Sequence, residues 1–194
     1  MSKVLIIFAH PAAHKSRINS ELIHSVSDLD EVTINDIYEK YPDFFIDVKE
    51  EQKLLSEHDI IIWHHPFYWY SCPALMKEWI DLVLEHGFAY GKSGTTLKGK
   101  MVFNAITTGG SADVYSEKGR NRFTVPQFLI PFRQTALLCG MIYLPPFVVH
   151  GAHLLNDRGI NLYAQKYKRA VTKLRDGKFS ERQLLSANYL NDLI

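Results

Sequence analysis

Cysteine is scarce in this chain. Only Cys72 and Cys139 are present, and without an export signal a lone pair of thiols is expected to stay reduced, as core or near-core residues rather than a disulfide framework. An excess of one charge sign is also missing. The 22 basic residues against 21 acidic ones leave a formal charge of +1, which supplies no global field for nucleic acid or an anionic membrane, and neither is expected as a partner. The N-terminal apolar run, Val4 to Ala9, is too short to span a bilayer and leads into His10-Pro11 instead of a small-residue cleavage site, so a cytoplasmic location is expected. No Cys/His or carboxylate cluster has metal-ligand spacing. His10 and His14 stand four apart, but Pro11 between them marks a loop, and the adjacent His64 and His65 diverge in an extended chain. No metal is expected. The first connection, His10 to Asn19, holds no glycine, which excludes the G-x-G-x-x-G dinucleotide fingerprint there. Gly87 to Ser93 imitates a phosphate loop, but it has three residues between its glycines where four are needed, and it follows a helical pattern.

What is present suits one globular domain: 194 residues, 46% hydrophobic and 22% charged, enough to bury a sizeable core. The runs Val4 to Ala9, Asp59 to Trp63, Met101 to Ile106 and Ile142 to His150 are continuously apolar, as strands covered on both faces require, and Glu31 to Asp36 reads as a shorter fifth strand. Between them Ile18, Leu22, Ile23, Val26 and Leu29 share a helical face, as do Leu75, Met76, Trp79, Ile80, Val83 and Leu84. A last helix is predicted over Gly159 to Arg175, with Ala164, Tyr167, Val171 and Leu174 inward. Alternating strands and helices imply right-handed crossovers, hence an α/β three-layer sandwich: a five-stranded parallel sheet of flavodoxin-like order with helices on both faces and ligands at the carboxyl ends of the strands. Residues 1–176 form this domain. Residues 177–194 are expected as a tail, loose or docked on a partner.

Three strand ends carry chemistry. Ser16 suits the N-cap of the first helix, whose free N–H groups and dipole attract phosphate, with Ser16 and Asn19 adding hydrogen bonds and His10 or Arg17 a positive charge. A plain cap is the simpler alternative. Trp63 to Tyr70 puts five aromatic rings besides its histidines into eight residues, with Pro73 placed to open the next helix. Phe67, Tyr68, Trp69 and Tyr70 would serve as a stacking surface, a hydrophobic plug or a dimer surface. Thr107-Thr108-Gly109-Gly110 ends another strand, where glycines allow positive φ and successive N–H groups converge on an electron-rich ligand edge. An ordinary turn is the alternative there. Together the segments would hold a planar, polar-edged ligand such as an isoalloxazine.

His10-Pro11 with Ser16, Arg17, Ile18 and Asn19, then Pro66 to Tyr70 leading into Pro73-Ala74-Leu75, and Thr107 to Gly110 resemble the NAD(P)H:quinone oxidoreductases of flavodoxin-like fold, over about Lys3 to Lys173. Tyr41 to Asp47 and Gly87 to Gly91 look most like the bacterial branch, which includes ancillary flavoproteins of glutathione-gated potassium-efflux antiporters. The resemblance implies FMN, its phosphate near His10 and Ser16 to Asn19 and its rings against Phe67 to Tyr70 and Thr107 to Gly110. It also implies a homodimer with sites at the subunit interface, and hydride transfer from NAD(P)H to flavin followed by two-electron reduction of a quinone. Tyr115 matches a tyrosine proposed in relatives to help neutralise the reduced flavin; the histidine of the same proposal is replaced by Asn121, which carries no titratable proton. Two alternatives stay open: a regulatory subunit bound to an antiporter, held at the inner membrane by that partner, and a one-electron carrier like flavodoxin. The carrier's acidic surface and Ser/Thr-Gly-rich first loop are missing here.

Overall fold

Alternate residues of the strands separate two cores. The computed structural model describes the backbone of residues 1–194 and every side chain except that of Glu181. Its first strand, β1 (Val4–Phe8), is buried throughout. Leu5 and Ile7 face a core with Leu75, Met76 and Trp79, whereas Val4, Ile6 and Phe8 face another with Leu22, Tyr167 and Val171. A strand buried on both faces must be apolar at every position, and the uninterrupted Val-Leu-Ile-Ile-Phe run reflects that. The other strands are β2 (Val32–Asp36), β3 (Ile60–Pro66), β4 (Met101–Thr107), β5 (Ile142–Tyr143) and β6 (Phe147–Val149). Their order is β2-β1-β3-β4-β5, with β6 also on β4 and every pairing parallel. This is the flavodoxin-like order expected.

One strand differs from expectation. The run Ile142 to His150 is two short pieces, β5 and β6, on the same edge of β4. Pro145 and Pro146 between them have no N–H to donate to the ladder, so pairing stops and resumes. Conversely β3 continues three residues past Trp63, which carries His64 and His65 inside the sheet.

The helices are α1 (Arg17–His24), α2 (Ile37–Lys40), α3 (Val48–Glu57), α4 (Ala74–Val83), α5 (Val125–Phe128), α6 (Ile130–Leu138), α7 (Asp157–Arg175) and α8 (Glu181–Ser186). Ser16 caps α1 by accepting the Asn19 N–H at 3.2 Å, as its sequence position predicts. The helical pattern extended to Leu29, yet α1 ends at His24. Ser25 and Ser27 donate their hydroxyls to the carbonyls of Leu22 and His24, at 2.7 and 2.9 Å, and such local bonds compete with the helical ladder.

Two features outside the sheet organise the rest. Glu51 on α3 is fully buried, and its carboxylate accepts from Asn35 Nδ2 (2.6 Å), Trp79 Nε1 (2.7 Å), Tyr41 OH (2.8 Å) and Lys40 Nζ (2.9 Å). One buried acid thus ties β2, α3, α4 and the turn after α2 together, with its lone pairs satisfied as burial requires. Residues 177–194, expected as a loose or partner-docked tail, lie back on their own domain. Leu184 and Leu190 are buried in the core that holds Phe147 and Tyr167. Leu190 donates its N–H to the Pro146 carbonyl at 2.9 Å, so the segment covers the outer edge of β6.

A cavity at the strand ends

The carboxyl ends of β1, β3 and β4 open into one cavity of about 610 Å³. It is lined from the first loop by His10 and Ser16 to Asn19, from the β3 turn by Pro66 to Trp69, and from the β4 turn by Thr107 and Gly109. The three segments singled out from sequence therefore meet. Lys15, Ala152 and His153 also line it and were missed; the polar end of the run Ile142 to His150 was the only signal pointing toward the last two. Tyr70, Thr108, Gly110 and Tyr115 do not line it, and each is displaced for a visible reason.

At the α1 end, the backbone N–H groups of Arg17 and Ile18 meet no protein acceptor among the described residues, as at any helix start. They and the dipole suit an anion. The positive charge expected from His10 or Arg17 is not delivered to it. His10 accepts the Ala12 N–H on Nδ1 at 3.1 Å and burial lowers its pKa, so near neutral pH it is an Nε2–H donor. The Arg17 guanidinium is paired with Asp157 at the start of α7.

At the aromatic turn, Trp69 and Tyr70 both have left-handed backbone, φ 48° and 63°, which is costly for side chains of this size and marks a constrained segment. The turn is held from behind. His65 donates Nδ1–H to the Pro66 carbonyl at 3.0 Å and accepts Asn104 Nδ2 at 3.0 Å, and Tyr143 donates to Asn104 Oδ1 at 2.6 Å. The rings then divide. Phe67 is 8% exposed and Trp69 93%. Tyr70 stacks on Phe128 of α5 at 5.0 Å and donates to Asn121 Oδ1 at 3.4 Å, which turns it away from the cavity. Tyr115 sits in the same cluster, edge-on to Phe67 at 6.0 Å and 5.7 Å from the His150 ring, and burial raises its pKa, keeping it a neutral phenol.

The β4 turn departs from the reading of its glycines. Neither Gly109 nor Gly110 has positive φ. Gly110 is required by space instead: a Cβ there would lie 2.7 Å from Val114 Cγ2 and 3.2 Å from the Tyr115 ring, whereas one on Gly109 would meet only His153, at 3.5 Å. The Thr108 N–H is committed to the Val149 carbonyl at 2.9 Å. The N–H groups without an acceptor among the described residues are those of Gly109 and Gly110. Thr108 Oγ1 donates to the Gly110 carbonyl at 2.8 Å and so accepts from His150 Nδ1 at 3.2 Å. His150 is another residue the sequence reading passed over.

A parallel sheet with this strand order and an anion-receptive cleft at its carboxyl edge defines a flavodoxin-like protein. The profile of the family described as flavodoxin-like fold matches residues 2–173. The chain belongs to that family. It is 45% identical over 165 residues to the glutathione-regulated potassium-efflux system ancillary protein KefG of Pectobacterium atrosepticum, covering 85% of this chain and 90% of that one. Among solved structures it is similar to the general stress protein 14 of Treponema denticola in complex with FMN, with TM-score 0.82, 35% identity and coverage of 90% and 98% of the two chains. It is also similar to the NADPH-quinone reductase of P. pentosaceus, with TM-score 0.79, 30% identity and coverage of 86% and 96%. A structure described as a thermophilic tryptophan halogenase of Streptomycin violaceusniger shares the fold as well, with TM-score 0.85, 38% identity and coverage of 86% and 97%. Fold alone therefore does not name the activity.

Proposed function

We propose that this protein binds FMN in the strand-end cavity and acts as an NAD(P)H:quinone oxidoreductase. The observation that carries the reading is the convergence, in one cavity, of unpaired donors at the α1 start, the unpaired Gly109 N–H, and apolar ring surface from the β3 turn. A phosphate with a flat heterocycle matches those three surfaces. The solved relative with FMN and the one named as a quinone reductase support the choice of cofactor and acceptor. Bound FMN would supply the redox chemistry, taking a hydride from NAD(P)H and passing two electrons to a quinone.

The chain's own residues bind and orient. Ser16 and the N–H groups of Arg17 and Ile18 would hold the phosphate, with the Asn19 amide, whose two hydrogens go to Ser16 and Thr107, orienting those hydroxyls from behind; Phe67, Tyr68 and Trp69 would limit the cleft on one side; the Gly109 N–H would face the polar edge of the rings. Trp69, 93% exposed at the mouth, suits burial against a second copy of the chain, which would make the working form a homodimer. Tyr115, outside the lining, would act on the site through Phe67 and Thr108.

The test is to supply FMN to the purified protein and follow NADPH consumption with and without menadione. Quinone-dependent turnover with parallel double-reciprocal lines supports the reading. Absence of turnover with FMN bound favours the second reading, a regulatory subunit of a potassium-efflux system in the cytoplasm at the inner membrane. The 45% identity to KefG supports it, and co-purification with an antiporter or altered ion flux would test it. No helix among the described residues is long and apolar enough to cross a membrane, so any attachment of this kind would come through a partner.

A further inference from the structure

Behind the cavity runs a chain of hydrogen bonds whose direction is set by counting protons. Asn19 is buried, and its amide contacts His64 Nε2 (3.1 Å) on one side and Ser16 Oγ (2.9 Å) and Thr107 Oγ1 (3.1 Å) on the other. His64 is fully buried and its other nitrogen, Nδ1, lies 3.1 Å from the hydroxyl of Tyr167, itself fully buried on α7. Two orientations of the amide are conceivable. With Nδ2 toward the hydroxyls, both amide hydrogens find acceptors, Oδ1 takes the His64 Nε2–H, and His64 Nδ1 accepts from Tyr167. With the amide reversed, two hydrogens face the single lone pair of His64 Nε2, and one buried N–H is orphaned, at a cost of about 1–3 kcal/mol. The first orientation prevails.

The consequence reaches the ligand. Ser16 Oγ already accepts the Asn19 backbone N–H at 3.2 Å and Asn19 Nδ2, which uses both its lone pairs. Its hydrogen, and that of Thr107, meet no protein acceptor among the described residues, and both residues line the cavity. We propose that His64 and Tyr167 are positioning residues that, through Asn19, hold the Ser16 hydroxyl as a donor and leave the Thr107 hydrogen free to donate beside it, so that the cavity selects ligands presenting an acceptor oxygen, such as a phosphomonoester, at Ser16. His64 can do this because it stays neutral: burial pushes its pKa down to about 3, so a single ring hydrogen persists, held on Nε2 by the Asn19 amide oxygen while Nδ1 accepts from Tyr167. A cationic imidazole would have two N–H groups and no lone pair for the Tyr167 hydroxyl.

The ligand part of this inference rests on the FMN reading; the hydrogen-bond directions do not. Two measurements separate them. In the unaltered protein, nitrogen NMR of His64 is expected to show the Nε2–H tautomer, and an Nδ1–H tautomer overturns the relay whether or not FMN binds. FMN titration then tests the function. His64→Leu and Tyr167→Phe are each expected to weaken FMN binding about tenfold, a loss on the scale of one charge-assisted hydrogen bond, and His64→Gln, whose amide can still donate to Asn19, is expected to recover most of it. Affinity within twofold of the unaltered protein in folded His64→Leu overturns the proposal. If the leucine variant does not fold, Tyr167→Phe and the tautomer measurement decide. An unaltered protein that fails to bind FMN rejects the cofactor reading and leaves the relay to the NMR result.

Discussion

The side-chain amide of Asn191 pairs with both backbone groups of Val148, accepting its N–H at 2.8 Å and donating to its carbonyl at 3.0 Å. One residue near the C-terminus thereby does for the outer edge of β6 what a neighbouring strand would do. Open edges template association with other chains, and this edge is closed by the protein's own last residues.

Asn191→Ala is expected to destabilise the fold by about 1–2 kcal/mol, the net of two hydrogen bonds partly replaced by water. Deleting residues 177–194 would also remove Leu184 and Leu190 from their core and should add concentration-dependent self-association. Urea denaturation and light scattering check both. A deletion variant as stable and monodisperse as the parent would show the tail to be incidental.

Glu51→Leu is expected to cost about 3–5 kcal/mol, because it leaves the buried donors of Asn35, Tyr41 and Trp79 without their acceptor, while Lys40 keeps only its pair with Glu50 at 2.8 Å. The exposed Lys53–Glu57 pair, 3.9 Å apart, is the internal control: Lys53→Ala should change stability by less than about 1 kcal/mol. Equal effects at the two sites would contradict the assignment of Glu51 as an organising node.

Acid should unfold this protein early. Burial lowers the pKa values of His64 and His65 to about 3 and about 4, so below about pH 6.5 the unfolded chain binds protons that the folded chain refuses. The stability is therefore complete above that pH and is lost as pH falls through it toward 4, by about 1.4 kcal/mol per pH unit for each histidine. Urea midpoints at pH 8, 6 and 5 test this, with the slope reduced in His65→Gln. A flat profile from pH 8 to 5 would refute it.

The two glycines after β4 should behave differently. Gly110→Ala must displace Val114 or Tyr115, and a destabilisation of about 1–3 kcal/mol is expected from such overpacking. Gly109→Val has room in the fold but puts methyl groups at the cavity wall. It should leave stability within about 1 kcal/mol and weaken FMN binding, as calorimetry would show. The reverse pattern would reject both roles.

The sheet was legible in the sequence because strands buried on both faces leave no choice of residue, and Ser16 was legible because an N-cap needs an oxygen at one position. The break at Pro145-Pro146 was equally visible in principle, since proline cannot donate to a ladder. His64 and His65 were not legible as a pair of buried anchors. Their neutrality comes from burial, and the partners that orient their rings, Tyr167 and Asn104, are distant in sequence, so their divergence to opposite faces was readable locally but their roles were not.

By itself the sequence determined the layer architecture, since local periodicity and the handedness of crossovers fix it, and its strand count and motifs favoured the flavodoxin-like order, in which the three connections after β1, β3 and β4 meet at one end. Only the tertiary structure decided which residues reach the cavity. Tyr70, still half-exposed, stacks on Phe128 while Tyr115 is buried beside the same ring, Arg17 is held by Asp157, and His153 enters from the loop between β6 and α7. Side-chain direction at a strand end is set by what else competes for each ring and each proton, and those competitors are neighbours in space rather than in sequence.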